Sequence, residues 1–367
     1  MSTMLIVGLL IAPILVVFVD AGSWKLHIQE VKRVQRNNTL GVLHDIYREV
    51  LNFDRTKYRG SGILWVPKKG CKATGEYLIG NCESGKYVYD TRESATAENL
   101  NLPFRLAYAD GNSWTKGQYF KDVFSFGEKL HLEEKVTFGV GEEMRNRDQG
   151  ILGLGNAINP RERGSSILHE AWRQKAIDAP IFTMYLRKCP DSEDCENRGI
   201  ITIGSYDKEM CGDVVGDAKA DPKCKSRDYE HELTVQNSYP LDLGKERISE
   251  PLKAVIDSGA PGIYMPEYMY KPLMESIRAR RTKEGDYIVK CDADLDITLQ
   301  INGQKYTVPR NQLLVNLHTG FCSMRLFPFN HPEDLWLLGT PFGISYCITH
   351  NFEAHTVEFA SSLTRHE

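Results

Sequence analysis

Asp257-Ser258-Gly259, entered through the apolar run Ala254-Val255-Ile256, puts a carboxylate on a tight turn after a buried strand. Met265-Pro266 follow soon after, so the stretch reads as strand, turn, strand and not as a surface loop. Such a carboxylate becomes reactive when it has a partner. Two aspartates that close cannot both ionise, so they share a proton. One can then take a proton from water while its neighbour donates to a carbonyl under attack. The candidate partner is Asp54, which ends the apolar stretch Val50-Leu51-Asn52-Phe53 and precedes Gly60-Ser61-Gly62.

A weak internal repeat surrounds these two turns. About eighty residues after Asp257 comes Trp336-Leu337-Leu338-Gly339, and after Asp54 comes Gly150-Ile151-Leu152-Gly153-Leu154-Gly155. Each half therefore has an aspartate-glycine turn and, later, two apolar residues and a glycine. Glycine lets one backbone pass closely against the turn that carries the carboxylate. The rest of the chain is many short apolar runs separated by Gly, Asp and Asn, which predicts a mainly β protein. Two helices are expected, Ser166 to Lys175 and Tyr268 to Arg281. The basic run Arg278-Ala279-Arg280-Arg281-Thr282-Lys283 is read as the solvated end of the second.

Length and composition narrow the function classes. The 367 residues suffice for two domains, and 41% apolar with 26% charged residues is ordinary for a globular protein. A net charge of −4 gives no argument for nucleic acid as a partner. Leu5 to Val19 is almost wholly apolar and Asp20-Ala21-Gly22-Ser23 is small-residue rich, so residues 1–21 are expected to be a removed signal peptide. The apolar run is shorter than the about 20 residues of a membrane span. Residues 22–36, basic from Lys25 to Arg36, read as a short pro-like segment.

Nine cysteines suit an oxidising compartment. Cys71 with Cys82 and Cys189 with Cys195 each bracket a polar, loop-like segment, which makes them disulfide candidates. No Cys-x-x-Cys and no zinc-like Cys/His spacing occurs, so no metal is expected. The odd count leaves at least one thiol free or paired with another chain. Asn37-Asn38-Thr39 is a glycosylation sequon, meaningful in a secreted chain. The ten histidines show no nucleophile-base arrangement and no Gly-x-Ser-x-Gly occurs, which argues against a serine or cysteine hydrolase.

Taken in order, these segments resemble the pepsin-like aspartic peptidases, over about Asn38 to Ala360. Ile63-Leu64-Trp65-Val66-Pro67 is similar to the family's segment after the first catalytic turn. Tyr108-Ala109-Asp110-Gly111 with Gly117 is similar to the flap hairpin that folds over substrate. Ile151-Leu152-Gly153 and Leu337-Leu338-Gly339 match the two structural glycine motifs, and the spacing of Cys291 and Cys322 resembles the C-terminal-lobe disulfide. Ala179-Pro180-Ile181-Phe182-Thr183 and Ile344-Ser345-Tyr346-Cys347 resemble nematode members in particular.

The resemblance implies a mainly β, bilobal acid protease fold, with lobes at 37–204 and 205–367 related by a pseudo-two-fold axis around a central cleft. It implies an endopeptidase working at acid pH on polypeptide substrates, with no cofactor, as a monomer that is secreted or lysosomal. Asp54 and Asp257 would be catalytic, supported by Gly60, Ser61 and Ser258. Tyr108, Gly111 and Gly259 would meet substrate, Tyr108 as part of a lid.

The first catalytic turn departs from the family. Arg55-Thr56-Lys57-Tyr58-Arg59 stands where the family has one threonine, an excess of four residues. Counting back from Trp65 without a gap puts Tyr58 at the catalytic position; allowing a four-residue insertion puts Asp54 there. The second alignment is favoured, because Val50 to Asp54 matches the family's strand and Lys57-Tyr58-Arg59 matches nothing. Four residues stretched out span about 13 Å, so a catalytically inactive relative that binds peptides in the same cleft is the alternative. In the second half, Ala260 stands where the family has a hydroxyl residue bonding the carboxylate, and Thr340 and Gln149 replace aspartates near the glycine motifs.

Overall fold

The computed structural model describes residues 15–20, 23–28, 64–75, 88–107, 113–126, 130–145, 150–154, 166–188, 199–219, 232–237, 252–257, 260–283, 285–330 and 335–363. Asp54, Gly60, Ser61, Cys82, Tyr108, Gly111, Gln149, Cys189, Cys195, Ser258 and Gly259 lie outside these residues. Strands dominate and the helices are short, as the punctuated apolar runs predict. The chain divides into two compact units.

The first unit carries β1 (Leu15–Asp20), β2 (Ser23–Ile28), β3 (Trp65–Thr74), β4 (Glu98–Ala107), β5 (Trp114–Phe126), β6 (Leu130–Arg145), α1 (Ile167–Arg173), the start of β7 (Ile181–Leu186) and β8 (Gly199–Ile203). One of its sheets has the order β3-β6-β5-β4. Its core is Trp65, Phe104, Leu106, Tyr119 and Met144. β4 and β5 form a hairpin that closes at Ala107↔Trp114, so the expected flap residues 108–111 fall in its connection. β1 pairs antiparallel with β2, and β2 with β8 from Trp24↔Ile203 to Ile28↔Gly199. β1 lies within the stretch read as a removable leader, whereas β2, beyond it, carries the pairing with β8.

The second unit holds the rest of β7 and then β9 (Cys211–Lys219), β10 (Glu232–Asn237), β11 (Leu252–Ile256), β12 (Ile263–Pro266), α2 (Glu267–Ser276), β13 (Arg280–Arg281), β14 (Tyr287–Lys290), β15 (Ile297–Ile301) and β16 (Gln304–Val308). It continues with α3 (Arg310–Leu313), β17 (Leu314–Asn316), β18 (Phe321–Met324), β19 (Leu326–Phe329), β20 (Trp336–Leu338), α4 (Thr340–Ser345), β21 (Tyr346–Asn351) and β22 (Thr356–Ser362). The sheet that matters for chemistry has the order β16-β15-β10-β11-β20-β12-β19. On β15 the buried Ile297, Leu299 and Ile301 alternate with half-buried Thr298 and Gln300, the period of a sheet with one covered face. Cys291–Cys322 is a disulfide, as the resemblance implied, and Cys211–Cys347 is a second. Cys71 is also disulfide-bonded.

The second helix ends earlier than its sequence pattern predicts. Ser276 is its last residue, and Arg280–Arg281 pairs as a strand with Tyr287 and Ile288 instead of extending the helix. Arg278 takes a left-handed conformation (φ 53°), with Arg278 N–H on the Glu275 carbonyl and Ala279 N–H on the Met274 carbonyl. That paired closure is a Schellman cap. The basic run is therefore a turn and a strand edge, with Arg278, Arg280, Arg281 and Lys283 exposed.

Candidate active site

Asp257 follows directly on β11, and two later segments hold its turn. β20 lies between the arms of the turn, parallel to β11 at Ala254↔Trp336 through Ile256↔Leu338 and antiparallel to β12 at Ile263↔Leu338 and Tyr264↔Leu337. The Asp257 N–H donates to the Leu338 carbonyl at 3.2 Å, and the Asp257 carbonyl accepts from Ala260 N–H at 3.1 Å. Asp257 is half-buried, and its backbone is held on both sides by these two bonds.

Gly339, next along from β20, explains the glycine motif. A Cβ there would be driven inside contact distance of the Gly262 and Ala260 carbonyl oxygens, and to 2.8 Å of the Ala260 Cβ. Its φ of −90° suits any residue, so glycine is required by space alone. Thr340 then opens α4 and gives both its N–H (2.9 Å) and its hydroxyl (3.0 Å) to the Ala260 carbonyl. Phe342 and Ile344 are buried and anchor this short helix in the core.

The first unit repeats the same pairing around its own glycine motif. Trp65 and Ile151 exchange both backbone hydrogen bonds, at 3.0 and 2.9 Å, as an antiparallel bridge. Tyr264 and Leu337 are the corresponding antiparallel pair in the second unit. On its other side Trp65-Val66-Pro67 runs parallel to β6 from Gly139, just as Tyr264-Met265-Pro266 runs parallel to β19 from Phe327. Gly150, just before Ile151, is also tightly packed: a Cβ on it would press on the Trp65 carbonyl and stand 3.0 Å from the Val66 Cα. The internal repeat read from sequence is thus a repeat of strand pairing.

This correspondence gives the first turn a ruler. Asp257 lies seven residues before Tyr264, and seven before Trp65 is Tyr58; Asp54 is eleven before. Counted from the paired strands, Tyr58 takes the place of Asp257, and Asp54 stands four residues earlier.

A buried carboxylate that sequence reading passed over lies beside the hairpin. Asp122 on β5 is 5% exposed and accepts hydrogen bonds from Tyr89 Oη (2.5 Å), Ser94 Oγ (2.6 Å), Thr96 Oγ1 and its neighbour's Val123 N–H (2.8 Å). Burial pushes this carboxyl up, but the bonds from Ser94, Thr96, Tyr89 and Val123 outweigh it and hold Asp122 below the usual carboxylate range. Burial first, and then the hydrogen bond to Asp122 and the charge of that carboxylate, push the Tyr89 phenol up. All four donors are spent on one residue, so the arrangement fastens the turn 90–97 to β5 and is structural. Its only sequence signal is the polar Asp122 within a run of aromatics.

Among the described residues no group of three or more His, Cys, Asp and Glu is placed to hold a metal ion, and no helix is long and apolar enough to cross a membrane. The structure therefore brings together Asp257, Ala260, Gly339 and Thr340, and separately Trp65, Gly150 and Ile151.

Comparison with known proteins adds a family. The model of the family described as eukaryotic aspartyl protease matches residues 52–362. The chain is 22% identical to "Aspartic protease 2" of Necator americanus, over 96% of this chain and 93% of that protein. It is 25% identical to "Plasmepsin IV" of Plasmodium falciparum (isolate 3D7), over 82% of this chain and 64% of that longer protein. It is 23% identical to "Cathepsin D" of Chionodraco hamatus, over 83% of this chain and 76% of that one.

Proposed function

This chain belongs to the eukaryotic aspartyl protease family, and on that premise we propose that it is an endopeptidase in which Asp54 and Asp257 activate one water at acid pH. The observation that carries this reading is the build of the Asp257 turn. That turn is held by the glycine wedge at Gly339 and by two hydrogen bonds from Thr340 to the Ala260 carbonyl. Here both are present around an intact Asp257.

In the proposed reaction one carboxylate takes a proton from water, whose oxygen attacks the scissile carbonyl carbon. The protonated partner donates to the carbonyl oxygen, giving a neutral tetrahedral diol. Collapse breaks the carbon–nitrogen bond as the amine is protonated, and the pair returns to its shared-proton state. Tyr108 and Gly111, in the β4–β5 connection, would cover the bound peptide, and Gly259 and Ser258 would line the Asp257 side; Gly60 and Ser61 would support Asp54. Acid pH follows from the need to keep one proton on the pair. The disulfides Cys211–Cys347 and Cys291–Cys322, with the apolar Leu5–Val19, support passage through the secretory pathway and a secreted or lysosomal location.

The four-residue excess before Trp65 favours a second reading, a peptide-binding relative without activity. Cleavage of a denatured protein across pH 2–6 separates the two. Acid activity that Asp257→Asn abolishes supports the endopeptidase; activity untouched by that substitution overturns the aspartic mechanism, and none at any pH favours the binding protein.

A further inference from the structure

We propose that Thr340 is a positioning residue for Asp257, its hydroxyl clamping the far end of the turn that carries the carboxylate. This rests on the endopeptidase reading above for its effect on rate, but not for the clamp itself. Position 260 carries alanine, so the turn has no polar side chain of its own there. The Ala260 carbonyl instead receives both the N–H and the hydroxyl of Thr340, which together occupy the two lone pairs of that oxygen.

The two bonds differ in what they depend on. The N–H is one of the orphan donors at the start of α4, and any residue except proline would supply it. The hydroxyl bond exists only because residue 340 carries a side-chain hydroxyl. It reaches the turn from a helix that cannot follow if the turn drifts, because Phe342 and Ile344 are packed in the core. The Gly339 wedge limits how near the turn can come, and the Thr340 hydroxyl limits how far it can move away. Asp257 lies between that clamp and the bond from its own N–H to Leu338.

A displacement of the carboxylate by about 1 Å can cost about a hundredfold in rate without changing how substrate is bound. Loss of the hydroxyl is therefore expected in kcat and not in KM. Thr340→Val keeps the shape and removes the bond; Thr340→Ser keeps the bond and removes a methyl group.

The expected result is a fall of about tenfold in kcat for Thr340→Val, the size of one neutral hydrogen bond, with KM within about twofold. Thr340→Ser recovers most of the loss. Equal losses in Val and Ser, or a loss confined to KM, would overturn the proposal in favour of simple packing. Amide hydrogen exchange over 252–263 reads the clamp without any activity. Faster exchange of the turn in Thr340→Val than in Thr340→Ser supports it even where the parent enzyme proves inactive. Identical exchange in the two variants removes it.

Discussion

Gly339 passes so close to Ala260 that a Cβ built on it would lie 2.8 Å from the Ala260 Cβ and closer still to the Ala260 carbonyl oxygen. The atoms in the way are backbone of the turn that carries Asp257, and backbone cannot step aside as a flexible side chain can. Gly339→Ala should therefore destabilise the protein by about 3 kcal/mol and abolish peptidase activity. Urea unfolding measures the first and a cleavage assay the second. A fully stable, active alanine variant would show the approach to be looser than described.

The first turn can be shortened to match the second. Deleting Arg55 together with Lys57, Tyr58 and Arg59 leaves Asp54-Thr56-Gly60-Ser61, with Asp54 then seven residues before Trp65, as Asp257 is before Tyr264. A carboxylate brought from out of reach to hydrogen-bond geometry gains about a hundredfold. The deletion should raise kcat/KM by at least about that factor if the excess residues hold Asp54 away. An unchanged rate means that the longer turn already delivers Asp54 to its partner.

Asp122 makes stability depend on acid. Its folded-state pKa lies below the unfolded value of 3.8, so its contribution is complete above pH 4. It is lost as pH falls through the lower, folded value. Asp122→Asn is expected to lower stability by about 2 kcal/mol near pH 6, in line with hydrogen bonds to a charged group. The gap to wild type should close as pH falls below 4. Thermal melts of both proteins from pH 2 to 7 check this, and a gap independent of pH would contradict it.

The two described disulfides should differ in worth. Cys291–Cys322 spans 31 residues and Cys211–Cys347 spans 136. Loop-closure entropy alone assigns them about 3.7 and about 5 kcal/mol. Replacing Cys211 and Cys347 together by serine should cost more, measured by denaturant midpoint, than the same change at Cys291 and Cys322.

Arg278 and Lys175 both cap helices in the left-handed region, at φ 53° and 57°. That conformation costs a residue with a Cβ about 1–2 kcal/mol. Part of this is offset by the greater chain entropy that glycine brings to the unfolded state. Arg278→Gly should raise stability by about 0.5–1 kcal/mol, visible as a higher melting temperature with activity unchanged. A lower melting temperature would mean that the exposed guanidinium contributes more than the strain it bears.

What could be read from residues alone was local. Strand periodicity marked a mainly β chain. The turn at Asp257 stood out as aspartate and glycine after an apolar run, and Gly153 and Gly339 as glycines each closing an apolar pair later in its half. Each signal resides in a few neighbouring residues, because pleat period and turn chemistry are properties of short segments. The same locality explains the error at Arg280–Arg281. Helical spacing continued past Ser276, but the cap at Arg278 and pairing with Tyr287 and Ile288 won.

Pairing across the sequence was decided only by the tertiary structure. Thr340 reaches Ala260 over 80 residues, Tyr89 reaches Asp122 over 33, and Cys211 joins Cys347 over 136. No period or motif encodes such partners, since each depends on the register of strands laid side by side, where a slip of one residue turns every side chain to the other face. The chain specified a carboxylate on a turn. The placing of β20 between β11 and β12 decided what holds it there.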